Sequence, residues 1–534
     1  MQDLPPELWD QIARYLPESS LINLIGVNKT LTDHGLNAKY RELRISRIDT
    51  DLFRRLELIK DLNHFRRVRN VVLEHLPVKD LELIDKINAA EAQADAERYA
   101  TPVKPATGFI GVTSRMLKRF SIGRKAGPAK IVVPFTAREV RDRILSVLPR
   151  LPNIASFTVT QDNNTIFYPL ICLIFWENYS AQLQELDIAV HFLSGKPPIP
   201  LAFSFPQLRK LTFRAFSYPT HSIDTRPEPL DMNACVCFIN KFQRNLEYLR
   251  IFNEGKEDLD DIYSTLGRFS NLQYFEVTPP SAAISQGQGS FLQRHADVIR
   301  NMTYVSLSGI DRGGLTSIEM ERLEKLTLRL KYIPYPDAWW TRPSPFLKSI
   351  LPTLRSLHLE GALSVKELND FLTAIRVADV PIALQELSLS VHSLAVDILL
   401  DVAAALPNLR SFALQIHDVI AEGSPTTPTE FFPYTSGSHV PNFAVKIREV
   451  LPESNWNLQD ITIRRQSCCG DLMLWGLMLL CAECVPSIRS FDSQGTKIIP
   501  SPPNQKPEPS TSRCSNGLCS YNSGTAPSVP PDIA

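Results

Sequence analysis

The cysteines are the first residues whose types and spacing invite chemistry. Cys481 and Cys484 form a C-x-x-C pair, the spacing with which two thiolates can share a zinc ion, and Cys468-Cys469 lies upstream. The stretch between them, DLMLWGLML, has an apolar helical pattern and no histidine nearby. Burial as free thiols is the expected state of these residues. Cys514 and Cys519 lie in a Pro/Ser/Asn/Gly-rich segment with no defined ligand set. The sequence contains no G-x-S-x-G, no Walker glycine loop, no H-E-x-x-H and no G-x-G-x-x-G opening a helix. His417 and His439, inside an insertion at about 415–457, are the remaining features that hint at catalysis. No catalytic residue, metal or cofactor is assigned, and the chain is not expected to be an enzyme.

Composition narrows the partners. Among 534 residues, Lys+Arg and Asp+Glu number 57 each, so no global field draws in nucleic acid or anionic lipid. A run of Arg115, Lys118, Arg119, Arg124, Lys125 and Lys130 is read as a solvated loop, with a localisation signal or phosphorylation of Ser121 as the sharper alternatives. Met1 to Tyr15 carries Asp3, Glu7, Asp10 and Arg14 and no continuous apolar core, so no secretory leader is expected. The longest apolar stretch, Leu472 to Cys481, falls short of the roughly 20 residues that span a bilayer. Nine scattered cysteines do not form a disulfide framework. Cytoplasm, nucleus or both is the expected location, with neither nucleic acid nor membrane as a partner.

A repeated frame, apolar-x-x-apolar-x-apolar, must position whatever surface the chain offers. It appears at Val68/Val71/Leu73, Ile154/Phe157/Val159, Leu183/Leu186/Ile188, Leu208/Leu211/Phe213, Leu246/Leu249/Ile251 and Leu272/Phe275/Val277. It continues at Met302/Val305/Leu307, Leu323/Leu326/Leu328, Leu354/Leu357/Leu359, Leu384/Leu387/Leu389, Leu409/Phe412/Leu414, Leu458/Ile461/Ile463 and a degenerate Ile488/Phe491. Most copies are about 21–31 residues apart, a leucine-rich-repeat period. Side chains alternate along a strand, so the second and third apolar positions share a face. An amphipathic helix such as AREVRDRILSV covers that face, with Val140, Ile144 and Val147 on one stripe, and stacking makes the core continuous.

On such strands the residues flanking the core positions form the open face. One column holds Tyr248, Tyr274 and Tyr304; beside it lie Arg250, Glu276 and Ser306, then Phe252, Thr278 and Ser308. Lys210, Arg214, Lys325, Arg329, His358 and Glu360 flank them. Tyr and Arg are favoured at binding hot spots, so Tyr248, Arg250, Tyr274, Tyr304 and Arg329 are the candidate substrate-binding residues. The plainer reading is that tyrosines stack for local stability.

At the N-terminus, LPPELWDQIARYLP begins with Pro at the first helical turn and ends at Pro17. Leu8, Ile12 and Leu16 form one stripe. Ser19-Ser20 are candidate N-caps for a second helix with Leu21, Leu24, Ile25 and Val27, and Asn28 to Leu36 forms a third that closes near Gly35. Three helices in about 40 residues hold more apolar side chains than so small a bundle can hide. LPPELWDQIARYLP…LINLIGVNKTL resembles the F-box, departing from it after Val27, where Leu31 stands in place of a frequent Trp.

The resemblance implies docking to a Skp-type adaptor and its cullin ligase core through Leu4, Pro5, Leu8, Ile12, Leu16, Leu21 and Leu24. F-box followed by leucine-rich repeats is the order seen in substrate adaptors of SCF-type ubiquitin ligases. The expected fold is α/β: an N-terminal three-helix F-box, then an irregular leucine-rich-repeat solenoid with a parallel sheet on the concave side. Residues 1–45 are the F-box, 46–87 the first repeats, 88–131 a disordered basic insertion, 132–494 the solenoid and 495–534 a disordered tail. A ligase-independent interaction scaffold is the alternative function.

Overall fold

The computed structural model describes residues 4–74, 137–160, 167–191, 202–216, 232–253, 259–278, 285–306, 315–330, 344–419, 445–465 and 472–491, apart from positions 48, 62, 63, 316, 395, 446 and 455. The basic segment 88–131, the tail 495–534, Cys468-Cys469, His439 and most of the insertion lie outside the described residues.

Local chemistry sets the N-terminal helices. α1 (Pro6–Tyr15) begins with proline and Glu7 in its first turn, where neither a missing N–H nor a negative charge is penalised, and ends at extended Leu16 before Pro17. α2 (Glu18–Asn23) starts directly after Pro17, so Ser19 and Ser20 lie inside it and do not cap it. α3 (Lys29–Tyr40) is capped by Asn28, whose side chain accepts from Leu31 N–H at 2.8 Å. It does not close at Gly35. Gly35 is buried mid-helix, and a Cβ there would stand 2.5 Å from Ile25 Cγ1 and 2.6 Å from the Leu21 carbonyl. The glycine lets α3 approach α2.

Ala13, Leu21 and Leu31 form the small core of this bundle, with Trp9, Leu16, Leu24 and Ala38 packed on it. Arg67 ties the bundle to the first strands of the sheet by reaching back to Asp33 at 2.8 Å. Tyr40 stacks on His64 with ring centroids 4.3 Å apart.

The rest of the described chain builds one sheet. Its strands are β1 (Glu42–Ile45), β2 (Asn70–Leu73), β3 (Ser156–Val159), β4 (Glu185–His191), β5 (Lys210–Phe216), β6 (Tyr248–Asn253) and β7 (Tyr274–Thr278). β8 (Asn301–Ser306), β9 (Lys325–Leu330), β10 (Ser356–Leu363), β11 (Glu386–Leu394), β12 (Ser411–Val419), β13 (Asp460–Arg465) and β14 (Ser490–Phe491) complete it. All neighbours pair in parallel, and the spatial order is the sequence order from β1 to β14. This open parallel sheet in an α/β chain is the topology that stacked repeats require.

The apolar frames fall in register. Leu211, Leu249, Phe275, Met302 and Leu326 stand opposite one another across β5 to β9 and are all buried. Helices close the same face: Val140, Ile144 and Val147 of Ala137–Val147, and Leu368, Phe371, Leu372 and Ile375 of Val365–Val377, are buried in the common core. The latter helix has a complete capping box between Ser364 and Glu367.

The structure differs from the sequence expectation in three places. β1 carries Leu43 and Ile45 into the core, so the sheet starts inside the stretch assigned to the helical module. Residues 415–419 finish β12, so the insertion begins later than 415. Third, the frame at β8 is Ile299/Met302/Tyr304, not Met302/Val305/Leu307. Tyr304 pairs with Val277 and Leu328 and is 2% exposed.

Candidate functional site

Two surfaces gather the residues singled out from sequence. The first is the outer side of α1. Leu4 and Leu8 are each 42% exposed and Ile12 is 38% exposed, with Pro5 and Tyr15 also open. Leu8, Ile12 and Tyr15 are spaced by four and three residues along one helix, so they share a face. Leu16 and Leu24 are half-buried against the bundle, and Leu21 lies in its core. The seven candidate docking residues thus divide into four that face outward and three that hold the bundle together. Ile22 and Val27 add exposed apolar area on the same module.

Asp10, on α1, accepts from His34 at 2.8 Å and pairs with Arg14. The bond from His34 holds its carboxyl below the ordinary value.

The second surface lies on the sheet face opposite the helices, across β4 to β7. Parallel pairing puts Tyr248 beside Tyr274, and their rings stack with centroids 4.1 Å apart and planes within 6°. The next member of that column is Asn301, so the third tyrosine of the expected ladder, Tyr304, is absent from this face. Its place in the core follows from strand alternation.

The central column reads Asp187, Thr212, Arg250, Glu276 and Thr303, in place of the expected Ser306. Both tyrosine hydroxyls point to Glu276 Oε2, at 3.4 Å from Tyr248 and 3.1 Å from Tyr274. Tyr274 also shares a bond of 2.9 Å with Thr303. Arg250 Nη2 lies 2.8 Å from Glu276 Oε1, the closest charged contact of that carboxylate. Glu276 is only 4% exposed because rings and guanidinium cover it. Burial pushes both phenols above their ordinary pKa, with Glu276 adding to the effect.

Charges and rings continue toward β4. Arg214 forks onto Asp187 with contacts of 3.0 and 2.6 Å, a geometry that fixes both side chains. Burial nevertheless raises the Asp187 carboxyl, outweighing that fork. Arg250 lies 3.8 Å over the Phe252 ring, and Lys210 5.1 Å over Tyr248. A recess of about 160 Å³ opens among Thr158, Asp187, Thr212, Tyr248 and Arg250.

Arg329, on β9, lies on the same side three strands from Arg250, about 14 Å away at the pitch of a sheet. It bonds Glu360 at 3.0 Å, and His358 approaches that carboxylate at 3.3 Å. Of the five candidate residues, Tyr248, Arg250 and Tyr274 form one cluster, Arg329 belongs to a second, and Tyr304 to neither. Asp187 was not singled out from sequence, although it occupies the central column of the Leu183 frame. The cluster presents rigid aromatic edges between fixed charges of both signs, suited to gripping a polypeptide surface.

Cys481 and Cys484 both lie buried at the end of the helix Leu472–Cys484, and burial pushes the Cys481 thiol up to about 12. No group of three or more His, Cys, Asp or Glu side chains suited to a metal ion occurs among the described residues. None of the described helices is long and apolar enough to cross a membrane. No family model matches the chain, and a search of curated proteins found no match.

Proposed function

We propose that the chain is a non-catalytic substrate adaptor of an SCF-type ubiquitin ligase, its N-terminal helices acting as an F-box and its repeats as a leucine-rich-repeat grip. The observation that carries the reading is the open apolar side of α1. Leu4, Leu8 and Ile12 remain exposed although the bundle has a core of its own. Such a stripe fits a groove on a Skp-type adaptor, the helix-in-groove mode of recognition. The Tyr248, Tyr274 and Arg250 cluster is the proposed hold on a substrate protein. The mechanism is proximity: holding a target beside the charged conjugating enzyme raises the effective concentration of its lysines.

The test is capture of the intact chain by a purified Skp-type adaptor. Leu8→Asp with Ile12→Asp should abolish capture and leave the unfolding midpoint unchanged, since both side chains are exposed. Failure of the intact chain to bind, or equal capture of the variant, overturns the ligase reading in favour of an independent scaffold.

A further inference from the structure

One residue just ahead of each strand bonds its backbone N–H to the carbonyl of its counterpart on the strand before. From Arg209 to Arg489 these bonds measure 2.8 to 2.9 Å and form an unbroken ladder along the sheet's leading edge. In the first part of the ladder, arginines have acidic neighbours: Arg209 pairs with Glu247 at 3.3 Å and Arg300 with Glu324 at 3.1 Å.

Beyond Glu324 the pattern changes. Arginine persists at alternate rungs, as Arg355, Arg410 and Arg489, but the rungs between them are Gln385 and Gln459. Among the described residues neither Arg355 nor Arg410 has an ion-pair partner, although the rungs hold their backbone as rigidly as that of the paired ones. An open groove of about 740 Å³ runs along this part of the edge, lined also by Arg322, Asn408 and Asn457, each two residues ahead of a rung. Its acidic lining is Glu321 and the already paired Glu324.

We propose that this groove docks an acidic, extended segment of a partner polypeptide. Three features select that occupant. Arg322, Arg355 and Arg410 stand against Glu321 alone, so the groove carries uncompensated positive charge. Alternate rungs lie two strand spacings apart, about 9.6 Å, close to the rise of about 9.3 Å per three-residue turn of a polyproline II segment. In that conformation acidic side chains at every third position share one face and meet successive arginines. Beside the arginines, the Gln385, Gln459, Asn408 and Asn457 amides both donate and accept, as the backbone of a bound peptide requires. A compact polyphosphate would instead favour cations clustered at one point.

This site is separate from the α1 stripe and from the tyrosine cluster, so it stands or falls independently of the ligase reading. The test is fluorescence anisotropy on the intact chain, with a labelled twelve-residue peptide carrying Glu at every third position among Ser and Ala. The spaced peptide should bind, and binding should weaken as salt rises through about 0.15 M. A peptide of equal composition with its Glu residues contiguous should bind less well. Arg355→Glu with Arg410→Glu should weaken binding at least about tenfold, the scale of reversing two exposed charge contacts. Arg209→Glu, at the paired end of the ladder, should leave it unchanged.

Should the double reversal perturb folding, Arg355→Gln with Arg410→Gln imitates the neutral rungs and should still weaken binding several-fold. Absence of binding by the spaced peptide, indifference to both double variants, or tighter binding of inorganic tripolyphosphate overturns the proposal. Capture by a Skp-type adaptor should be the same for all variants.

Discussion

Replacing Tyr304 with alanine separates a core tyrosine from a surface one. Sequence patterning alone puts Tyr304 in line with Tyr248 and Tyr274 on the open face; the strand register puts it opposite Val277 and Leu328, 2% exposed. A buried tyrosine hides about 150–250 Å². At about 25 cal/mol per Å² that is an upper bound of about 4–6 kcal/mol, reduced by what the denatured chain already buries. Truncating a core aromatic to alanine costs about 3–5 kcal/mol. Tyr248→Ala is milder: it removes one stacked pair, a Lys210 contact and the long 3.4 Å bond to Glu276 at a half-buried site, together about 1–2 kcal/mol.

Urea unfolding followed by circular dichroism should therefore show a midpoint drop for Tyr304→Ala at least twice that for Tyr248→Ala. Because each repeat leans only on its neighbours, the weakness at β8 should also split the transition into two. An unchanged midpoint for Tyr304→Ala, or a drop smaller than that of Tyr248→Ala, would refute the register and return Tyr304 to the open face.

Three other sites give measurable outcomes. Gly35→Ala should destabilise the N-terminal bundle by about 1–3 kcal/mol, since the new methyl meets Ile25 and the Leu21 carbonyl; limited proteolysis of residues 1–40 reads this directly. His295 accepts from Phe269 N–H at 2.9 Å through Nε2 and bonds the Phe291 carbonyl through Nδ1, so the neutral ring is the folded form. Burial lowers its pKa below the ordinary 6.5, so the unfolded chain binds the proton more readily. Stability should be full above about pH 6.5 and fall on acidification toward the folded pKa, by at most about 1.4 kcal/mol per pH unit, a slope that His295→Gln removes from urea midpoints. Ser364→Ala, which breaks the capping box on Val365–Val377, should cost about 1 kcal/mol by thermal unfolding.

The repeat is legible in the sequence because its frames satisfy two constraints together, an alternating strand and a near-constant spacing. Tyr304 escapes because Met302-Thr303-Tyr304-Val305-Ser306-Leu307 offers two alternations, and tyrosine suits either face. Spacing alone favours Ile299 as the frame's first residue, 27 residues after Leu272 and 24 before Leu323. β1 is hidden because Tyr40, which occupies its first frame position, ends a helix. The Arg214–Asp187 and Arg250–Glu276 pairs link residues 27 and 26 positions apart, so they become visible only once register is known. Gly35 looks like a helix stop because glycine is common there; in α3 the demand is instead for missing volume.

A sheet whose strands are all parallel and in sequence order sends the chain out of every strand along one edge and brings it back along the other. The returning edge fixes the pitch through its rungs, whatever the length of the connection between strands. Residues 395–410 join β11 to β12, and the much longer run 420–459 joins β12 to β13. Ser411 nevertheless pairs with Asp460 in the same register as it does with Glu386. Protein engineers can therefore treat the outgoing edge as a row of insertion ports: a tag or reporter grafted after β9 or β12 should lengthen a connection without shifting a strand.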